Sequence, residues 1–151
     1  MTQEEAFHRA AALCARAEHC RSDIRAKLTT WEAEAPDEII DRLVAERYID
    51  ERRYAIAFVA DRLRYSHWGR IKLHYALRLK GISEDDIRTA LDTIDEDEYR
   101  DILQHLIDNK NRQLQKSEPD AWRLQQKLAR FATSHGFEPS LAMQMCHTDE
   151  E

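Results

Sequence analysis

Glycine and proline are scarce in this sequence, at three residues each. With so few breakers and no convincing run of alternating apolar and polar residues, a β fold has nothing to build on, while helix formers dominate. Cysteine is equally sparse. Cys14, Cys20 and Cys146 are odd in number and irregularly spaced, which does not make a disulfide framework. The stretch "CARAEHC" brings Cys14, His19 and Cys20 together and invites a metal reading. A zinc site needs four ligands, however, and no second paired half follows, so reduced thiols in or near a helical core are expected and no metal or other cofactor. No run of about 18 apolar residues is present to span a membrane. The start "MTQEEAFHRA" opens with acids and lacks the basic-then-apolar layout of a signal peptide, so a cytoplasmic location is expected. Glycine-rich phosphate loops, G-x-S-x-G and H-E-x-x-H are all missing, and acid pairs such as Asp85–Asp86 sit where a helix begins, favouring its positive dipole end. Catalysis is not expected.

What the sequence has in quantity is helical periodicity. Ile39, Ile40, Leu43 and Val44 recur at three and four residues, as do Ile102, Leu103, Leu106 and Ile107. Pro36, Pro119 and Pro139 each suit the first turn of a helix, and Gly81 and Gly136 suit left-handed caps after one. The pattern predicts an all-α chain with helices over 3–17, 21–31, 36–47, 51–65, 69–80, 83–94, 96–116, 119–134 and 138–147. Aligning "LKGISEDDIRTAL" with "SHGFEPSLAMQM" matches Gly81 to Gly136 and Ile82 to Phe137, a repeat of about 50 residues. Three tandem three-helix repeats are therefore expected, over 1–50, 51–95 and 96–151, the last with an acidic tail. Their stacking predicts an elongated, curved, right-handed or superhelical array.

Charge is distributed unevenly over these groups. The formal net charge is -6, yet residues 51–80 hold eight Lys/Arg against Glu51 and Asp61. Within them "RLRYSHWGRIKLHYALRLKG" has no acidic residue, whereas "SEDDIRTALDTIDEDEYRD" directly after it carries nine. Arg70, His74 and Arg78 fall on one helical stripe, with Lys72 and Lys80 close by. Leu73 and Leu77 lie on one side of it and Ile71, Tyr75 and Leu79 on the other, so the ridge is expected to emerge between two buried apolar faces. Arg53 and Arg64 of the preceding helix lie within about 20° of each other. Tyr54 and Tyr75 are expected in the core with wet hydroxyls. Such a surface either attracts phosphates or an acidic protein groove, or is a solvated face whose arginines pair with the acids that follow. Trp68, with Gly69 at a helix start, either plugs the junction between two helices or stacks on a base, the plug being the plainer reading. "RSDIRAKL" adds Arg21, Arg25 and Lys27, either a smaller basic ridge or an ordinary exposed helix face, the latter being the plainer reading of the segment taken alone.

The central stretch "YIDERRYAIAFVADRLRYSHWGRIKLHYALRLKGISEDDI" resembles the RecX family, regulators of the RecA recombinase. The resemblance rests on Tyr48-Ile49-Asp50-Glu51, Tyr54-Ala55, Phe58, Trp68-Gly69 and Lys80-Gly81-Ile82, with "ARAEHCRSDIRAKL" and "IIDRLVAERYID" upstream. It covers residues 9 to about 94 well, and the last third in helix pattern and length. Three departures stand out, the first being Ala17 where many relatives carry a second basic residue. Cys20 occupies a position where a serine would cap the next helix, and Asp50 is left to cap the helix from residue 51 with Arg53 where a capping box has an acid. The resemblance implies a non-catalytic monomer that binds in the groove of the RecA–single-stranded DNA filament, with weak direct DNA binding as an accompaniment. Binding there would restrain strand exchange, ATP hydrolysis and coprotease activity. Arg53, Arg64, Arg70, Lys72, His74, Arg78 and Lys80 would form its basic face. Two other classes compete: a helix-turn-helix transcription regulator, for which helix 69–80 is apolar on too many sides, and a helical-repeat adaptor for an acidic protein.

Overall fold

The computed structural model describes residues 1–146; the acidic stretch from His147 to Glu151 lies outside the described residues. Among the described residues there are nine α-helices and no strand. In chain order they are α1 (Gln3–Arg16), α2 (Arg21–Thr30), α3 (Pro36–Ala45), α4 (Glu51–Ser66), α5 (Arg70–Leu79), α6 (Glu84–Asp92), α7 (Glu96–Leu114), α8 (Ala121–Ser134) and α9 (Pro139–Cys146). Each coincides with an expected helix to within a few residues. The chain divides into two compact units. One comprises Met1–Phe58 with Leu77–Ala90; the other comprises Val59–Ala76 with the chain from Leu91 onward. The divisions fall inside α4 and α5.

The first unit closes around α1, α2 and α3. Ala6, Phe7, Ala10, Ala11 and Cys14 line one face of α1 at three- and four-residue spacing, and the alanines let the partner helices come close. Ile24 and Leu28 of α2, with Ile39, Ile40 and Leu43 of α3, complete a core of buried aliphatics. Each such side chain removed from water stabilises the unit by about 1.5–3 kcal/mol. Thr2 and Glu5 form a capping box on α1. Cys20, by contrast, supplies no side-chain cap to α2; its thiol contacts the Ser22 hydroxyl instead, at 3.2 Å. Asp50 does cap α4, its carboxylate accepting from the Arg53 N–H at 3.0 Å.

The second unit packs α7, α8 and α9 around Tyr99, Leu103, Ile107, Leu128, Ala132 and Phe137. Asp95 and Asp120 cap α7 and α8. Pro36 and Pro139 begin their helices as expected. Pro119 does not: it precedes the cap Asp120 and lies outside α8, because the aspartate, with a side chain that accepts the Arg123 N–H, makes the better first residue. Gly81 and Gly136 both have positive φ, at 82° and 93°, as left-handed caps require.

Gly69 and Gly136, both in this second unit, meet backbone to backbone. The Gly69 N–H donates to the His135 carbonyl at 2.7 Å and the Ile71 N–H to that of Gly136 at 3.0 Å. A Cβ on Gly69 would stand 2.5 Å from Gly136 C and O, and one on Gly136 would stand 2.3 Å from the Lys72 Cβ. Only hydrogen fits at either position. Gly136 shares with Gly81 the left-handed cap conformation that the repeat alignment expects, and in space it meets Gly69.

Candidate interaction surface

The basic residues were expected either as a ligand-facing ridge or as a solvated face paired with the acids that follow. The structure places most of them on carboxylates, with Glu84, Glu96 and Glu98 of that acidic stretch among the partners. In the first unit, Arg53 Nε reaches both oxygens of Glu18, at 2.7 and 2.8 Å, and its Nη2 donates to the Arg47 carbonyl at 3.2 Å. Arg78 stands 3.3 Å from Glu84, and Arg25 stands 2.6 Å from Asp37. Lys80 Nζ lies 2.6 Å from Asp23, while its carbonyl accepts from the Ser22 hydroxyl at 2.9 Å. Burial alone would raise the pKa of Asp23; the Lys80 ammonium overrides it and holds the carboxyl below its ordinary value. Glu51 goes the other way, raised chiefly by burial although it accepts the Arg21 N–H at 3.0 Å. Arg21, Arg25 and Lys27 are all exposed on α2, and Gly81 has open space around it.

In the second unit, Arg64 Nε pairs with Glu98 at 2.9 Å. Arg70 is no ridge residue. Its side chain keeps 28 % exposure and is tied on both sides, by Nη1 to Glu138 at 2.7 Å and by Nη2 to Glu96 at 2.5 Å. Its guanidinium lies 3.9 Å from the centre of the Tyr99 ring, and its backbone N–H donates to the Tyr99 hydroxyl at 3.0 Å. That hydroxyl in turn donates to Glu138. Burial and the adjacent carboxylate push the Tyr99 phenol up. Burial also works against an ionised Glu138, but the Tyr99 and Arg70 hydrogen bonds prevail and lower its pKa. Arg70 therefore joins the start of α5 to α7 and to Glu138 just before α9. Sequence reasoning put it with the ligand-facing residues because its partners are 26 and 68 positions away.

Trp68 is half-buried, with Lys72 Nζ 4.7 Å and Arg62 Cζ 5.1 Å from its ring. With Gly69 buried beside it, the segment acts as the turn between α4 and α5. His74 is also half-buried.

One expectation about α5 is overturned. Tyr75 is not a core residue: it is 64 % exposed, with Ile71 at 53 % and Leu79 at 70 %. Four-residue spacing puts the three on one stripe, so α5 buries Leu73 and Leu77 and leaves a second apolar stripe in water. The amphipathic pattern was read correctly, but nothing in a sequence says which of two apolar stripes finds a neighbour.

A second basic window lies in the last third. Residues 109–134 carry six Lys/Arg against Glu118 and Asp120, a weaker positive excess than that of 51–80. Within it α8 has no acidic residue, and Trp122 is exposed on its first turn.

Comparison with known proteins bears on what these surfaces serve. A family model described as RecX, second three-helix domain, matches residues 50–91. A regulatory protein RecX of Clostridium perfringens (strain 13 / Type A) is 35 % identical over 118 residues, covering 77 % of this chain and 55 % of that protein. The chain belongs to the RecX family. The regulatory protein RecX of Clostridium tetani (strain Massachusetts / E88) is 34 % identical over 101 residues, 67 % of this chain and 46 % of that one. The chain thus spans about half the length of these curated RecX relatives. A crystal structure of regulatory protein RecX superposes with a TM-score of 0.84 at 26 % identity, covering 95 % of this chain and 70 % of that one. The all-α helical repeat architecture is that of the RecX fold. No helix among the described residues is long and apolar enough to cross a membrane.

Proposed function

We propose that this chain restrains the RecA recombinase, binding as a monomer in the groove of the RecA–single-stranded DNA filament and limiting strand exchange, ATP hydrolysis and coprotease activity in the cytoplasm. Membership in a family of regulatory RecX proteins is the observation that carries the reading. The match of residues 50–91 to a second three-helix domain supports 1–50, 51–95 and 96–151 as the functional division. The exposed stripe Ile71–Tyr75–Leu79 supports α5 as the contact helix, since apolar groups left in water at regular spacing gain most from a partner. Lys72, His74 and Arg78 flank that stripe. Arg53, Arg64 and Arg78 are engaged with Glu18, Glu98 and Glu84 in pairs at the surface. Exposed pairs hold by no more than about 1 kcal/mol, so a phosphate or an acidic groove can take these arginines over. Arg70 is left to its structural task.

The test is RecA's DNA-dependent ATPase with this protein in excess. Inhibition is expected, and Ile71→Ser with Tyr75→Ser should weaken it tenfold or more. No inhibition and no co-sedimentation with filaments by the parent chain would discard the reading. Inhibition unchanged by the double substitution would move the contact away from α5.

A further inference from the structure

Helix α8 (Ala121–Ser134) bears three cations and no acid. Arg123, Lys127 and Arg130 are spaced by four and three residues and so share one face, rising about 6 and then 4.5 Å along the axis. With Trp122 and Gln126 they line a shallow groove. The cationic surface continues beside it, where Lys127 and Arg130 border a second hollow with Lys110, whose Nζ lies 4.7 Å from the centre of the Phe131 ring. Two acids stand nearby, and both are occupied. Asp120 accepts the Arg123 N–H as the helix cap, and Glu118 lies 3.5 Å from Lys127 with its side chain only 10 % exposed. Trp122 meanwhile leaves 67 % of its surface in water.

We infer that this face of α8 binds single-stranded DNA, with the Trp122 indole stacked on a base and Arg123, Lys127 and Arg130 on the phosphates. An indole beside a row of cations has two things to offer a polynucleotide, a stacking platform and charge neutralisation, and base stacking of this kind contributes about 1–3 kcal/mol per base. A duplex cannot use the platform, because its bases already stack on each other. An acidic peptide would take the cations and leave the indole without an aromatic base. The choice of DNA over RNA rests on the filament reading above; the surface itself does not depend on α5.

The experiment uses the full chain without RecA, titrated into fluorescein-labelled oligothymidylate while anisotropy is followed at several salt concentrations. Binding is expected to weaken steeply with salt. Trp122→Ala should lower affinity about tenfold, and Lys127→Gln with Arg130→Gln should lower it further while reducing the slope of log K against log salt by about two. All three residues are exposed, and circular dichroism verifies that the variants are folded. Parent and variants binding alike would overturn the assignment. So would no binding by the parent at low salt, equal binding to a duplex, tighter binding to oligouridylate, or displacement of the oligonucleotide by a polyglutamate peptide at lower concentration. The Ile71→Ser, Tyr75→Ser chain run in both assays keeps the two readings apart: inhibition lost alongside intact oligothymidylate binding shows the surfaces to be separate.

Discussion

The two compact units handle charge in different ways. In the first, the core is aliphatic and alanine-rich, and the ionic pairs Arg53–Glu18, Arg25–Asp37 and Arg52–Asp86 lie over it at the surface. In the second, a guanidinium, a phenol and a carboxylate are drawn partly inside, Arg70 on Tyr99 and Glu138, next to two glycines whose backbones touch. The first unit is thus built mostly from surface pairs, with Lys80–Asp23 the half-buried exception, and the second depends more on contacts around the fully buried Tyr99. A pair in solvent can be lost for little, whereas the buried Tyr99 hydroxyl, left without its acceptor, retains its desolvation cost.

The largest expected effect probes the glycines. Gly69→Ala forces a Cβ onto the Gly136 backbone, which cannot give way as a flexible side chain would. A loss above about 3 kcal/mol is expected, enough to leave the second unit unfolded. Gly81→Ala in the first unit meets open space and bears only the positive φ, at about 1–2 kcal/mol. Urea unfolding monitored by circular dichroism distinguishes them, and equal midpoints for the two variants would abolish the contrast.

Next comes Glu138→Gln, which removes the ionised acceptor of Tyr99 and Arg70 and should cost about 1–3 kcal/mol at neutral pH. Its pH dependence carries a sign. Because the folded protein holds the Glu138 carboxyl below its ordinary value, the stabilisation is complete above the unfolded pKa and is lost as pH falls through the folded one. The gap between parent and variant should therefore close in acid; a gap constant with pH would mean that the ionised form brings no advantage.

Arg53→Ala should cost no more than about 1 kcal/mol, since the arginine side chain is 45 % exposed and the pair lies at the surface. Glu51→Gln should change least, within about 0.5 kcal/mol. Here the folded pKa is raised by burial, so the group favours folding below its unfolded pKa and that advantage disappears as pH rises through the folded one. At neutral pH a neutral amide that still accepts the Arg21 N–H loses nothing. A large loss in either variant would show that the first unit, too, leans on single polar contacts.

Local signals read well in this chain, and distant ones did not. Helix positions followed from the spacing of Ile39–Leu43 and Ile102–Ile107, and the left-handed caps at Gly81 and Gly136 from their place after periodic segments. Asp50 could be assigned as a cap because a cap acts three residues away. The exposed state of Tyr75, the meeting of Gly69 with Gly136 and the capture of Arg70 all depend on which segments come together across tens of residues, which periodicity does not encode. The pairing of Arg53 with Glu18 spans 35 residues and is hidden for the same reason, whereas Arg64 pairs within the acidic stretch after residue 82, as the alternative of a solvated, acid-paired face expects. The α8 surface is legible in principle, as a second window rich in lysine and arginine, but its charge excess is smaller than that of 51–80 and does not stand out by composition alone.

The bridge between Gly69 and the His135–Gly136 turn has a consequence for how the chain is made. Arg70 and Glu138 are 68 residues apart. At about 5–20 residues per second, a ribosome needs on the order of several seconds to deliver the second after the first. Throughout that interval the glycine, the arginine and later the phenol of Tyr99 wait without the partners that will satisfy them, while the residues of the first unit, complete by Ala90, are already available to fold. A nascent chain halted before residue 136 would therefore present a finished first unit and an open second one, a difference that protease digestion of stalled chains would display as an early protected fragment and a late one.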